Sequence, residues 1–228
     1  AYTKYQQNFG EESFFRKKIF ISGLGSSASA SEKTTEISAS KIDVSFLPEG
    51  GNFVANALNR IAFKAIDETG KGIPINGKVL DETGAEIVSF QTRFRGMGDF
   101  EFSPENGKSY SVKLDNYPNF SYQFETAKSD GIGLQYKKEG DNLNFFVLRN
   151  AERTNPQELI FKVLHKDIVV FRNQISLNDK QAKQSLLENF FPVGISKVVI
   201  LDNQNNILAE RLVFVRDKKE KTIQFKLN

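Results

Sequence analysis

The sequence predicts an all-β protein made of tandem immunoglobulin-like antiparallel β-sandwiches. Three observations carry that expectation. Apolar and polar residues alternate with period two in many short runs; Ile42, Val44 and Phe46, for instance, are separated by Asp43 and Ser45. Such alternation buries one face of a strand and wets the other. The runs are separated by Gly-, Pro- and Asp-bearing turns, and Asp-Glu-Thr-Gly occurs at both 67–70 and 81–84. The aromatic set is skewed, with 21 Phe, 6 Tyr and no Trp. Phe at every second position suits a sheet face better than a helix stripe.

A chain of 228 residues accommodates two ordinary domains or one large all-β domain. Hydrophobic residues at 39% and charged residues at 26% fall in the globular range, so most of the chain is expected to pack a core. The net charge of +3 comes from 31 basic and 28 acidic residues that are interspersed along the chain. A mixed surface of this kind gives little electrostatic drive toward nucleic acid or an anionic membrane. With no cysteine, disulfides, thiolate metal sites and a Cys nucleophile are excluded. No run approaches the roughly 18 apolar residues of a membrane-spanning helix, and no signal-peptide pattern opens the chain. The first residue is Ala1, in what reads as mid-strand, so the chain is expected to be a piece of a longer protein.

Taken in order, residues 1–22 read as the terminal hairpin of a preceding domain, with a turn at Asn8-Phe9-Gly10 and a strand through Phe14 to Ile21. Residues 23–40 are rich in Ser, Ala, Thr and Gly and read as a linker, since they offer little apolar surface to offset ordering. Residues 41–127 carry about seven strand signals, the size of an immunoglobulin-like sandwich. Residues 128–216 read as a second sandwich. Its strands centre on Leu134, on Leu143 to Val147, on Leu159 to Val163, on Val169 to Phe171, on Val198 to Leu201 and on Leu212 to Val215. Asp202 to Asn206 repeats the hairpin role of the Asp-Glu-Thr-Gly turns. Residues 179–188, with Ala182 and Leu186 four apart, are the one stretch that reads as a helix, with a loop as the alternative. Residues 217–228 are a charged tail in which Ile223, Phe225 and Leu227 alternate, like the first strand of a following domain.

The phrases Phe46-Leu47-Pro48-Glu49-Gly50-Gly51-Asn52, Gly96-Met97-Gly98 before Phe100 and Phe102, and Glu210 to Val215 resemble macroglobulin-type domains of the alpha-2-macroglobulin and complement superfamily. The versions found in exported and outer-membrane proteins of Gram-negative bacteria are the more similar. That resemblance implies a fragment of a multidomain protein of the periplasm or outer membrane, in some cases linked to TonB-dependent receptors. Covalent protease capture in the superfamily needs a thioester built on a Cys, which this chain lacks. The resemblance places no bait loop at residues 23–40.

Candidate chemistry is sparse. Gly23-Leu24-Gly25-Ser26-Ser27-Ala28 matches a dinucleotide fingerprint by letter, but no apolar helix stripe follows it. His165, the only histidine, falls at a strand end next to a turn, where a triad or metal site would need partners placed around it. Asp67, Glu68, Asp81, Glu82 and Asp202 read as hairpin-turn acids rather than paired catalytic or calcium-binding carboxylates. Asn119-Phe120-Ser121 fits the glycosylation pattern, without function in a bacterial protein. Gly96 and Gly98 read as glycines of close strand approach or of a bulge at a sheet corner. No residue is assigned a catalytic, cofactor-binding or metal role, and no cofactor is expected.

The function expected is therefore a non-catalytic structural module that meets protein partners or neighbouring domains, with no nucleic acid and no direct membrane insertion. Two alternatives stand beside it. One is a portion of a macroglobulin-type protease inhibitor. The other is a carbohydrate-binding sandwich that stacks sugar on Tyr5, Tyr117, Tyr122 or Tyr136, although alternation turns Tyr122 toward a core.

Overall fold

The computed structural model describes residues 42–217. The first seven strands pack as two antiparallel sheets. β1 (Ile42–Pro48), β2 (Asn59–Asp67) and β5 (Met97–Phe102) form one, in the order β1-β2-β5. β3 (Asn76–Leu80), β4 (Glu86–Gln91), β6 (Ser111–Leu114) and β7 (Tyr122–Gln123) form the other, in the order β4-β3-β6-β7. The alternation turns Val44, Phe46, Ile61, Phe63, Ala65, Val79, Phe90, Phe100, Phe102 and Val112 into one buried core. Phe46 stands near its centre, with ring centroids 4.7 Å from Tyr122, 5.6 Å from Phe124 and 5.8 Å from Phe90. Edge-on and tilted aromatic contacts at these spacings stabilise a core beyond the area they bury.

The next seven strands repeat the plan. β8 (Ile132–Glu139), β9 (Asn142–Arg149) and β12 (Gln181–Leu187) stand in the order β12-β9-β8. β10 (Gln157–His165), β11 (Ile168–Leu177), β13 (Gly194–Leu201) and β14 (Ile207–Val215) stand in the order β11-β10-β13-β14. Counted from the first strand of each set, both sandwiches pair strands one, two and five against four, three, six and seven. The second core holds Leu134, Phe145, Val147, Leu159, Phe161, Val163, Val198 and Ile200. No α-helix occurs among the described residues.

The helix expected over residues 179–188 is absent. Gln181–Leu187 is instead strand β12, paired with β9 over seven residues, and a single 3₁₀ turn follows at Glu188–Phe190. Two residues four apart fit both periods, because four is also twice two. The neighbours decide it, since Gln181, Lys183, Ser185 and Leu187 are exposed while Ala182, Gln184 and Leu186 turn inward.

The glycine-bearing turn between β4 and β5 is a two-residue hairpin in which Phe94 and Met97 exchange both backbone hydrogen bonds. Gly96 has φ +77° and packs so closely that a Cβ there would stand 2.2 Å from the Ala65 carbonyl oxygen. Close strand approach therefore requires a bare backbone at this position.

One buried side chain had no signal in the sequence. Arg149, 1% exposed at the end of β9, donates to the carbonyls of Asn155 at 2.5 Å and Asn178 at 2.8 Å. It ties the β9–β10 connection to the β11–β12 connection.

Candidate functional site

A continuous set of specific polar contacts joins the first sandwich to the second, through residues 49–58 between β1 and β2. Pro48 ends β1, and its carbonyl accepts from the Gly51 amide at 3.0 Å. The Glu49 amide donates to the Arg60 carbonyl at 2.8 Å, which fixes the start of the loop on β2. Asn59, 5% exposed, fixes its far end. Its Oδ1 accepts from the Val54 amide, and its Nδ2 donates to the carbonyls of Val54 and Ala57. A buried side chain with this many backbone bonds holds a turn in one conformation, because each lost bond would leave a polar group dry.

So fixed, the loop runs antiparallel along β8. Glu49 meets Tyr136, Gly50 meets Leu134 and Asn52 meets Ile132. On its other side lies β14. The Glu210 amide donates to the Gly50 carbonyl at 3.3 Å, and Asn52 Nδ2 donates to the carbonyls of Ile132 at 2.9 Å and Leu208 at 2.6 Å. Since, among the described residues, β8 and β14 are each the last strand of a sheet, the loop lies where the two sheets of the second sandwich part company. It supplies hydrogen-bond partners to strand edges that would otherwise offer unpaired backbone.

Glu49 carries the charged part of the seam. Its Oε1 accepts from the Tyr136 amide at 3.2 Å and pairs with the Arg211 guanidinium. That guanidinium lies 4.6 Å from the centre of the Tyr136 ring. Burial pulls the Arg211 pKa down to about 10, so the group remains a cation at neutral pH. Desolvation also raises the Tyr136 hydroxyl above its ordinary value. The ring is thus an apolar wall for an ion pair rather than a free sugar platform.

Further along, the amide of Lys128 donates to the Phe53 carbonyl at 2.8 Å, and its carbonyl accepts from the Ala55 amide at 3.0 Å. Lys128 Nζ reaches Asn52 Oδ1 at 2.9 Å. Val54 is 1% exposed, with Gly131 and Gly133 against its side chain. Asn56 Nδ2 bonds Asn150 Oδ1 at 3.2 Å, and Gln135 Nε2 bonds the Leu58 carbonyl at 2.6 Å. The seam is therefore continuous from Glu49 to Leu58.

The residues weighed for chemistry lie apart from one another. His165 ends β10, with Nδ1 3.3 Å from Ser196 Oγ. Asp67, Asp81 and Asp202 each close a tight hairpin by the same device. The Oδ1 of each accepts amides two and four residues on, from Thr69 and Lys71, Thr83 and Ala85, and Gln204 and Asn206. Their carboxyls are held below the ordinary value, chiefly by the hydroxyls of Thr69 and Thr83 and by the Asn206 amide. Glu68 and Glu82 are exposed on those turns, and Asn119 and Ser121 on the loop before β7. Among the described residues, no three His, Asp or Glu side chains gather as metal ligands. Tyr122 and Tyr117 pack against the first core. Tyr5 and the Gly23 to Ala28 phrase lie outside the described residues.

An open groove of about 510 Å³ runs beside β3 and β4 and is lined by Asn76, Lys78, Gln91, Arg93, Asp99 and Asp115. Its cations are engaged locally, Lys78 with Glu86 at 2.7 Å and Arg93 with Asp99 at 2.8 Å.

No family model matches the chain, and no curated protein does. Similar folds are found among solved structures. The biofilm-associated protein BSP domain covers 78% of this chain at 13% identity and a TM-score of 0.35. The bacterial integrin-binding protein invasin covers 78% at 10% identity and a TM-score of 0.31. Native alpha-2-macroglobulin of E. coli covers 75% at 13% identity and a TM-score of 0.29. The matches span 30%, 40% and 14% of those chains, respectively. Bacterial alpha-2-macroglobulin domains are thus among the structural neighbours of this all-β chain, at scores too low to carry an argument about kinship or activity.

Proposed function

We propose that this chain is a non-catalytic structural and protein-interaction module, a fragment of a larger exported macroglobulin-like protein of the bacterial cell envelope. In this reading residues 41–127 and 128–216 are its two sandwich domains, and residues 1–22 and 217–228 belong to neighbouring domains in the same array. No residue is given a catalytic, cofactor-binding or metal role. The observation that supports the reading best is the seam at residues 49–58. There, side chains and backbone are committed to holding one sandwich against the next rather than to a ligand. A spacer needs this, because the default between domains is relative motion unless their interface is specific. The carbohydrate reading is weakened, since Tyr117 and Tyr122 pack against the first core and Tyr136 lies under Arg211.

The test is residual dipolar couplings measured on the full chain. One alignment tensor for both sandwiches is the expected result, splitting into two when Gly50→Val opens the seam. Two independent tensors in the unmodified protein would overturn the spacer reading.

A further inference from the structure

We propose that the outer face of the sheet β11-β10-β13-β14 is a docking surface for a partner protein that presents an extended apolar segment fringed with carboxylates. The inference rests on the interaction-module reading, but not on the seam. The strand register gives its layout. One outward row runs Val169, Leu164, Lys197, Leu212, and the next row toward the end of β14 pairs Ile195 with Phe214. On the other side stands the row Arg172, Lys162, Val199, Glu210.

An antiparallel sheet with one solvated face ordinarily keeps polar residues there. This one places Val169, Ile195, Leu212 and Phe214 outward at 50%, 59%, 61% and 68% exposure, beside a part of the same face where Ile160, Val199 and Leu201 are already buried. Ile195, Leu212 and Phe214 are neighbours on β13 and β14, while Val169 stands at the far edge beyond Leu164 and Lys197. A contiguous apolar patch, such as the first three form, marks an interaction site.

Charge selects the occupant. The face carries Lys162, Arg172 and Lys197 against two acids, Glu158 toward the start of β10 and Glu210, which lies 3.8 Å from Lys197. Among the described residues neither Lys162 nor Arg172 has an ion-pair partner. An acidic fringe would supply one to each, and complementary potentials set partner choice and encounter rate. Residues 218–228 carry four Lys against one Glu, the wrong sign for this face. A lipid surface fits poorly too. The apolar residues lie flat across three strands, and burying them in hydrocarbon would desolvate the Lys197–Glu210 pair among them.

The experiment uses the full chain and fluorescein-labelled synthetic peptides of about ten residues, a usual strand length, alternating Val or Phe with Glu or, in the counterpart, with Lys. Fluorescence anisotropy is expected to show the Glu peptide binding at least about tenfold tighter than the Lys peptide, weakening with salt. L212E/F214E and, separately, K162E/R172E should each lose about tenfold in affinity, while Phe94→Ser, at an exposed site on the first sandwich, should not. Equal binding of the two peptides, or binding indifferent to L212E/F214E, overturns the proposal. Three further results do so by naming another occupant. These are binding seen only after residues 218–228 are removed, a dimer abolished by L212E/F214E, or retention on phosphatidylglycerol vesicles in place of the peptide. A single alignment tensor alongside any of these failures leaves the spacer reading standing.

Discussion

Gly50 lies so close to Leu134 that a Cβ built on it would stand 2.5 Å from the Leu134 amide nitrogen and 2.8 Å from its carbonyl oxygen. Both atoms are backbone, so nothing can rotate away. The next glycine makes the comparison clean. Gly51 has a similar φ, +86° against +84°, but nothing lies within 4 Å of its would-be Cβ.

Gly51→Ala is therefore expected to cost only the left-handed backbone penalty, about 1–2 kcal/mol. Gly50→Ala should cost that and the displacement of β8, about 3 kcal/mol or more in total. Urea denaturation of both variants checks this, and equal losses would contradict the close approach.

The Glu49–Arg211 pair should behave as a partly buried interaction. Removing one partner, as in Arg211→Met, leaves a carboxylate with one oxygen already lacking a hydrogen bond in the seam. The expected loss is about 2–3 kcal/mol, below the figure for a fully buried pair because both side chains keep some exposure. Glu49→Gln in the Arg211→Met background should cost less than it does alone. A double-mutant cycle gives the coupling, and strictly additive losses would show that the pair contributes nothing.

Asn59→Ala should cost about 2–3 kcal/mol, since it strands the Val54 amide and the carbonyls of Val54 and Ala57 inside the protein. The same variant should also loosen the seam, and amide exchange at Lys128 reports that directly. Unchanged exchange at Lys128 would separate the turn from the interface.

Acid should destabilise the fold through its hairpins. The folded pKa values of Asp67, Asp81 and Asp202 lie below their unfolded values near 4. The unfolded chain thus takes up protons first as pH falls. Their contribution is complete above about pH 4 and is lost as pH drops through the lowered folded values. Urea midpoints followed from neutral pH downward should fall in that range, and replacing all three by Asn should flatten the fall.

Strand β12 has a distinctive exchange signature. Among the described residues it pairs only with β9 and lies at the edge of its sheet. Alternate amides from Gln181 to Leu187 should therefore be protected, where a helix would protect consecutive ones. Continuous protection would restore the helical reading.

The contrast between residues 67–70 and 179–188 explains what could be read in advance. Asp-Glu-Thr-Gly specifies its own turn through bonds spanning four residues, so composition and local chemistry suffice. At 179–188 the apolar pair Ala182 and Leu186 satisfies two periods, and only pairing with β9 chooses between them. Arg149 was silent for a related reason. Its partners are backbone carbonyls of Asn155 and Asn178, which no side-chain pattern advertises.

By itself the sequence determined most of the strands, their inward faces and the hairpin turns, though not β12, because period-two alternation and Asp- or Gly-bearing turns act over a few residues. Tertiary structure alone decided what Glu49, Gly50 and Asn52 are for. Their partners Tyr136, Leu208 and Arg211 stand 87 residues and more away from Glu49 or Asn52 along the chain. A contact that distant is set by how two folded sandwiches meet, and neither strand alone encodes it.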